Sequence, residues 1–132
     1  MGVGRFDTHN SFKTIWMDAV IKKQEIKVKF LSKAMEHGEA ISLGDYKKAN
    51  KIHKELQTIY DQAKTYNVST LFSELLDETD ENVCLWASTF TLKIYPDLAE
   101  ESLNRLAESP SVTGLSAQTT LHLWREGRLN LL

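Results

Sequence analysis

The chain has 132 residues, of which 42% are hydrophobic and 26% charged, with a formal net charge of −2 and a single cysteine. This is the size of one domain able to bury its own core, with the composition of an ordinary globular protein. No apolar run is long enough to cross a membrane, and Cys84 alone excludes an intrachain disulfide framework and suits a reducing compartment.

The amino terminus, MGVGRFDTHNSFK, lacks the basic-then-apolar profile of a secretory signal and the Ser or Thr that a myristoylation motif needs at position six. The expected location is the cytoplasm. Residues 1–10 read as a flexible lead-in. Phe12, Ile15/Trp16, Ala19, Ile26, Phe30 and Ala34 then form a stripe that predicts a helix from about Ser11 to Glu36. His37-Gly38 reads as its end, with Gly38 as a left-handed cap. Ser42 is the expected N-cap of a second helix, with Asp45 at its third position. Tyr46, Ala49, Ile52/His53, Leu56, Ile59/Tyr60 and Ala63 mark its buried face, and Asn67 its stop.

From residue 69 the elements shorten. Leu71, Leu75 and Leu76 share one face of a short apolar helix, and Val83, Trp86/Ala87, Phe90 and Ile94 share a face of the next. Asp77, Glu78, Asp80 and Glu81 separate the two, with Asp80 placed to cap the second and favour its positive end. Pro96 suits a first helical turn, with Asp97, Glu100 and Glu101 near that end and Leu98, Leu103 and Leu106/Ala107 inward. Ser109-Pro110-Ser111 is a break. A last helix is expected over roughly Ser116–Glu126, with Ala117, Leu121 and Trp124 inward and Gly127 ending it. Leu129, Leu131 and Leu132 form an apolar tail expected to dock on the body. No segment alternates with period two for long enough to be a strand. The fold class is all-α, about six helices in antiparallel stacked hairpins. A long pair over residues 11–66 caps two shorter ones over residues 69–126.

Catalytic and metal-binding patterns are missing. His9, His37, His53 and His122 have no metal-ligand spacing, and no Cys pair exists. His53 reads as a histidine at the border of an apolar face, and Cys84 as an inert thiol. There is no G-x-S-x-G, no Gly-rich phosphate loop and no calcium-loop pattern among the carboxylates. Neither an enzyme nor a cofactor is expected. Charge is the more informative property. Residues 1–64 carry twelve Lys/Arg against eight Asp/Glu, whereas residues 65–132 carry four against ten. An anionic flank attracts basic partners and speeds their encounter. Lys47, Lys51 and Lys54 share one face and Lys22, Lys29 and Lys33 another, which keeps nucleic-acid binding as an alternative. Against it stand the interspersed Glu25, Glu36, Glu39, Glu55 and Asp61.

In order, the Gly44-Asp45 turn into Ala49-Asn50-Lys51, the Leu75-Leu76-Asp77 turn, the Val83-x-x-x-Ala87 helix and the closing Leu121-x-x-Trp124-x-x-Gly127 resemble a small bacterial family of HEAT-like helical hairpins. The likeness spans about residues 12–128, and Cys84 stands where such families usually have Arg. Similar small all-α proteins occur among the immunity proteins of contact-dependent inhibition and polymorphic toxin systems. The resemblance implies a module that binds and blocks a cognate toxin domain, such as a basic RNase-type nuclease. The surface expected to meet it comprises Asp77, Glu78, Asp80, Glu81, Asp97, Glu100 and Glu101, whose carboxylates can take the place of phosphates. Trp86 and Trp124 are weaker anchors because both lie on apolar stripes. A small regulatory scaffold is the third reading.

Overall fold

A computed structural model of the chain describes the backbone of residues 3–132 and the side chains from Trp16 onward. Five α-helices, α1 (Val3–Ser42), α2 (Tyr46–Thr65), α3 (Glu81–Thr91), α4 (Pro96–Ala107) and α5 (Val112–Arg125), follow one another, with a 3-10 helix (Ser69–Leu75) between α2 and α3. Among the described residues there is no strand, and the fold is all-α. Sequence neighbours pack together throughout: α1 on α2, the 3-10 helix on α3, α3 on α4 and α4 on α5.

Local chemistry sets most boundaries. The Asp80 carboxylate accepts the N–H groups of Asn82 and Val83 at 2.9 and 3.0 Å, capping α3 as its position implied. Pro96 opens α4, and Gly127 follows α5 with φ +69°. Asn67 adopts φ +57° and ends the α2 segment.

Four boundaries differ from the sequence reading. α1 already begins at Val3, within the stretch expected to be a flexible lead-in, because the helix continues back from Ser11 without a break. The other three lie further along the chain. First, α1 continues through Gly38 to Ser42, and the left-handed residue is Gly44 (φ +73°). A Cβ on Gly38 would lie 1.9 Å from the Asn82 amide nitrogen, so Gly38 lets the start of α3 approach α1. Second, Asp45 rather than Ser42 caps α2, accepting the Lys48 N–H at 3.1 Å. Third, α5 begins at Val112, a turn earlier than expected, because Ser111 caps it through the Gly114 N–H at 3.2 Å. The stretch before Asp77 is a 3-10 helix, the form that short apolar connectors favour over a full α-helix.

The core has two lobes, with α3 between them. Every residue of α3 from Val83 to Thr91 is buried, since α1, α2 and the 3-10 helix cover one side and α4 and α5 the other. In the first lobe Phe90 meets four rings: Tyr60 stacked at 4.6 Å, Phe72 at 5.1 Å, Trp86 at 5.6 Å and Phe30 at 6.0 Å between centroids. The second lobe joins Leu85 and Leu92 to Ala99, Leu103, Leu106, Ala117 and Leu121. Between α3 and α4 runs a small buried polar seam. The Ser88 hydroxyl donates to Ser102 at 2.7 Å, and the Cys84 thiol donates to the Leu76 carbonyl at 3.0 Å. The tail docks: Leu131 and Leu132 pack on the first lobe, Leu129 and Leu132 on the second. The Gln57 amide donates to the Leu131 carbonyl at 2.7 Å.

The first half of the α1 stripe is not covered. Ile26, Phe30 and Ala34 are buried, but Trp16 is 64% exposed. The reason is length: α2 has 20 residues against 40 in α1, and its end, at Tyr66, lies beside Lys22. Phe12 and Ile15 lie outside the residues whose side chains are described, as do Met1 and Gly2 altogether. Tyr46 and Leu98, expected inward, are exposed because each lies in the first turn of its helix, outside the lobes.

Replacing Phe90 with Ala is expected to cost about 3–5 kcal/mol, read as a fall in the urea midpoint; a loss below about 1 kcal/mol would contradict the ring cluster as the centre of the core. Gly114→Ala places a Cβ 1.9 Å from the Ser109 carbonyl oxygen, a backbone atom that cannot swing aside. It should cost roughly 1–3 kcal/mol, measured in the same titration.

Candidate functional site

The seven carboxylates singled out by sequence do not form one surface. Asp80 is occupied by its capping bonds. Glu81 accepts hydroxyl bonds from Ser109 (3.2 and 3.3 Å) and Ser111 (3.0 Å), tying the start of α3 to the α4–α5 turn. Arg105 pairs with Glu101 at 3.2 Å and lies 3.8 Å from Asp77, while Arg125 on α5 meets Glu100 at 3.2 Å. Glu78 and Asp97 are exposed. Because α3 and α4 are antiparallel neighbours, Asp97 lies at the far end of α4 from the acidic turn. It is eight residues, or about 12 Å along the axis, from Arg105. The anionic character of this half persists as a diffuse field, with Asp77 and Glu78 its most open members.

Of the two lysine faces, one is engaged through Lys22 and Lys33, whereas Lys47, Lys51 and Lys54 on the other are exposed. Lys22 pairs with Glu25 at 3.2 Å, and Lys33 with Glu55 at 2.6 Å and Glu36 at 3.2 Å. These contacts hold the Lys33 ammonium above its ordinary pKa, mainly through its hydrogen bond to Glu55, and hold the Glu55 carboxyl below its own, mainly through Lys33.

A different place has the geometry of a site. Between the α1–α2 pair and α5, with α3 as floor, lies a pocket of about 350 Å³. Its floor is Leu85, Trp86 and Thr89; one wall is His37 and His53, the other Leu115, Ser116, Thr119 and Thr120. Leu131 of the tail reaches its edge. A second pocket of about 190 Å³ shares His37, Leu85 and Ser116 with it and continues past Gly38, Asn82 and Val112. Together they make one cleft, and none of its lining residues is Asp, Glu, Lys or Arg. In a chain that is 26% charged, that absence is informative.

The rings meet in a defined way. His37 and His53 each stand edge-to-face against Trp86, with centroids 5.2 Å apart in both cases. Burial lowers the pKa of both imidazoles, and for His37 the neighbouring His53 adds to the effect. Among the described residues two buried side-chain polar atoms have no hydrogen-bond partner, His37 Nδ1 and Trp86 Nε1. Leaving a buried donor or acceptor unmet costs about 1–3 kcal/mol. The threonines differ: Thr89, Thr119 and Thr120 donate to carbonyls one turn back at 2.8, 3.1 and 2.9 Å, so their oxygens remain as acceptors. Neutral imidazoles, an indole N–H, hydroxyl oxygens and apolar side chains suit an uncharged group carrying a hydrogen-bond acceptor.

Sequence reasoning treated these residues singly, His53 as a border histidine, His37 as a helix end and Trp86 as core. A signal was present: His37 stands seven residues before Gly44 and His53 eight after Asp45, so an antiparallel hairpin brings them level. Cys84 is buried in the seam between α3 and α4, away from this cleft's lining. Among the described residues no three His, Cys, Asp or Glu side chains are grouped to hold a metal ion, and no helix is long and apolar enough to cross a membrane.

No family model matches this chain, and no curated protein does. The chain is similar to the protein RPA1889 from Rhodopseudomonas palustris CGA009, known from its crystal structure, with a TM-score of 0.74 and 22% identity over 82% of this chain and 92% of that one. At that identity the likeness establishes a shared all-α fold and nothing about activity.

The lowered imidazole pKa values give stability a pH dependence of known sign. Above the unfolded-state value of about 6.5 both states hold the histidines neutral. As pH falls below it, the unfolded chain binds protons first, so the folded state loses stability until the lowered folded-state value is passed. The urea midpoint should therefore drop between pH 7.5 and 5.5, and less so in the His37→Gln/His53→Gln double variant; an equal drop in both would assign the effect to other groups.

Proposed function

We propose that this chain is a protein-binding module, that the uncharged cleft over Trp86 is its binding site, and that its partner is a basic toxin domain which it neutralises as an immunity protein. The observation that carries the reading is the cleft itself. It is concave, free of charged side chains, and holds an indole N–H and an imidazole nitrogen without partners. Leu115 and Val112, both 62% exposed, stand at its rim as apolar contacts for a partner segment. An uncharged loop entering there would cover these side chains and supply an acceptor for the indole.

The acidic half serves a separate purpose in this reading. Residues 65–132 carry ten carboxylates against four cations, and the open Asp77 and Glu78 extend that field toward solvent. Such a field accelerates the approach of a cationic domain while contributing less to holding it. Steering and holding thus fall to different residues. The toxin as partner rests on the family resemblance and on this charge complementarity; one fold hosts many roles.

The test is co-expression with the C-terminal domain encoded by the adjacent upstream gene. If that domain is toxic alone, growth should be restored and the two chains should co-purify. Leu115→Arg at the exposed rim should weaken the complex at least tenfold, chiefly through faster dissociation. Reversing charge at Asp77 and Glu78 should slow association and leave dissociation nearly unchanged. A harmless neighbour, or a complex indifferent to Leu115→Arg, would remove the reading.

A further inference from the structure

A second surface, unrelated to the cleft, lies along α1. Met17, Ile21, Gln24, Val28, Leu31 and Met35 follow one another at alternating steps of four and three residues, the spacing that keeps side chains on a single seam of a helix pair. The face that α1 turns to the core is a different one, occupied by Ile26, Phe30 and Ala34. Only Leu31 leans far enough toward the body to pack on the first lobe. The other apolar members are half in water: Met17 is 55% exposed, Ile21 51%, Val28 56% and Met35 53%. Val20 flanks the seam and is exposed as well. Single exposed apolar residues are ordinary, but a continuous row at seam spacing is not.

We propose that this seam is the interface of a homodimer, in which α1 of one copy pairs with α1 of a second about a two-fold axis near Gln24. Three observations select a second copy as the occupant. The seam runs from Met17 to Met35, about 27 Å at 1.5 Å per residue. Pairing it with an equal length of helix buries on the order of 1,000 Å² counting both partners, the threshold of a specific interface. Next, Gln24, the one polar member, lies near the middle of the row and is exposed. On the two-fold axis it meets its own mate, and two primary amides satisfy each other reciprocally, whereas an apolar partner helix would leave them unmet. Finally, α2 ends at Thr65, with Tyr66 beside Lys22, so the amino-terminal part of α1 continues beyond the end of its hairpin partner. An isolated helical stretch of that length is marginal in water, and a like stretch from a second copy supports it.

The seam stops at Met35 for a structural reason. The next position in its rhythm is Gly38, where Asn82 at the start of α3 comes down onto α1. The interface therefore lies on the face of α1 turned away from Ile26, Phe30 and Ala34.

The experiment is sedimentation equilibrium and light scattering on the full chain across a hundredfold concentration range. A species of twice the 15.1 kDa chain mass is expected at the upper end. Val28→Glu should raise the dissociation constant at least tenfold while far-UV circular dichroism of the body and the urea midpoint stay close to wild type, since Val28 is mostly in solvent. Gln24→Cys should form a disulfide-linked dimer under mild oxidation, a reaction for which the buried Cys84 is not placed. A monomer at every concentration, or a dimer that Val28→Glu leaves intact, overturns the proposal. So does failure of Gln24→Cys to cross-link in a confirmed dimer.

Discussion

The packing of the Phe90 ring is the interaction on which the rest of this structure depends. Its four ring neighbours come from four places: Phe30 from α1, Tyr60 from α2, Phe72 from the 3-10 helix and Trp86 from its own helix. Aromatic pairs contribute about 0.5–1.5 kcal/mol beyond the area they bury, and here three of the four pairs also join separate elements. The 3-10 helix, only seven residues long, would have little reason to hold its shape without Phe72 in that cluster. Trp86 extends the cluster to the protein's edge, where its indole becomes the floor of the cleft. The centre of the core and the floor of the site are thus successive turns of one helix.

That continuity explains why α3 tolerates so unusual an environment. Buried from Val83 to Thr91, it needs small or hydrogen-bonded groups wherever a neighbour comes close. Ser88 and Ser102 bond each other, Thr89 and Thr91 bond back to their own helix at 2.8 and 2.7 Å, and the Cys84 thiol reaches the Leu76 carbonyl. Polar groups sealed this way let α4 approach without leaving unmet donors. His37 Nδ1 and Trp86 Nε1 are the exceptions, and both belong to residues that line the cleft. The protein satisfies its interior where helices meet and leaves it unsatisfied beside the cleft, a distribution that mutual packing of the helices alone does not require.

Much of the fold was legible because its determinants are local. The Asp80 cap, Pro96 in a first turn and the stops at Asn67 and Gly127 depend on residues within a turn of themselves. What was misread depends on distant residues. Gly38 resembles a helix end until Asn82, 44 positions later, is seen to need the space. The apolar stripe of α1 is a true periodicity, but periodicity reports a face and not whether anything covers it, so Trp16 was placed inside. The carboxylates were counted correctly and their partners were not: Glu81 and Glu100 are matched by Ser109 and Arg125 through tertiary packing, and Glu101 by Arg105 one turn along its own helix. The cleft is largely of this second kind, since it is a space between helices, and only the level spacing of His37 and His53 about the Gly44-Asp45 turn signals it.

The two surfaces of α1 divide near the Gly38–Asn82 contact. Up to Met35 the helix carries the seam, with its members mostly in solvent; from His37 to Ser42, around that contact, it contributes a wall to the cleft. No residue of the seam lines the cleft, whose rim residues Leu115 and Val112 belong to α5. Each copy therefore keeps a complete cleft, and occupancy of one cleft requires nothing of the other. A length of 40 residues, twice that of its hairpin partner, serves both ends: the last turns build the site, and the uncovered turns before them are free to join a second copy. Shortening α1 to match α2 would take Met17 and Ile21 from the seam and spare the cleft, so those first turns can be removed without touching the site.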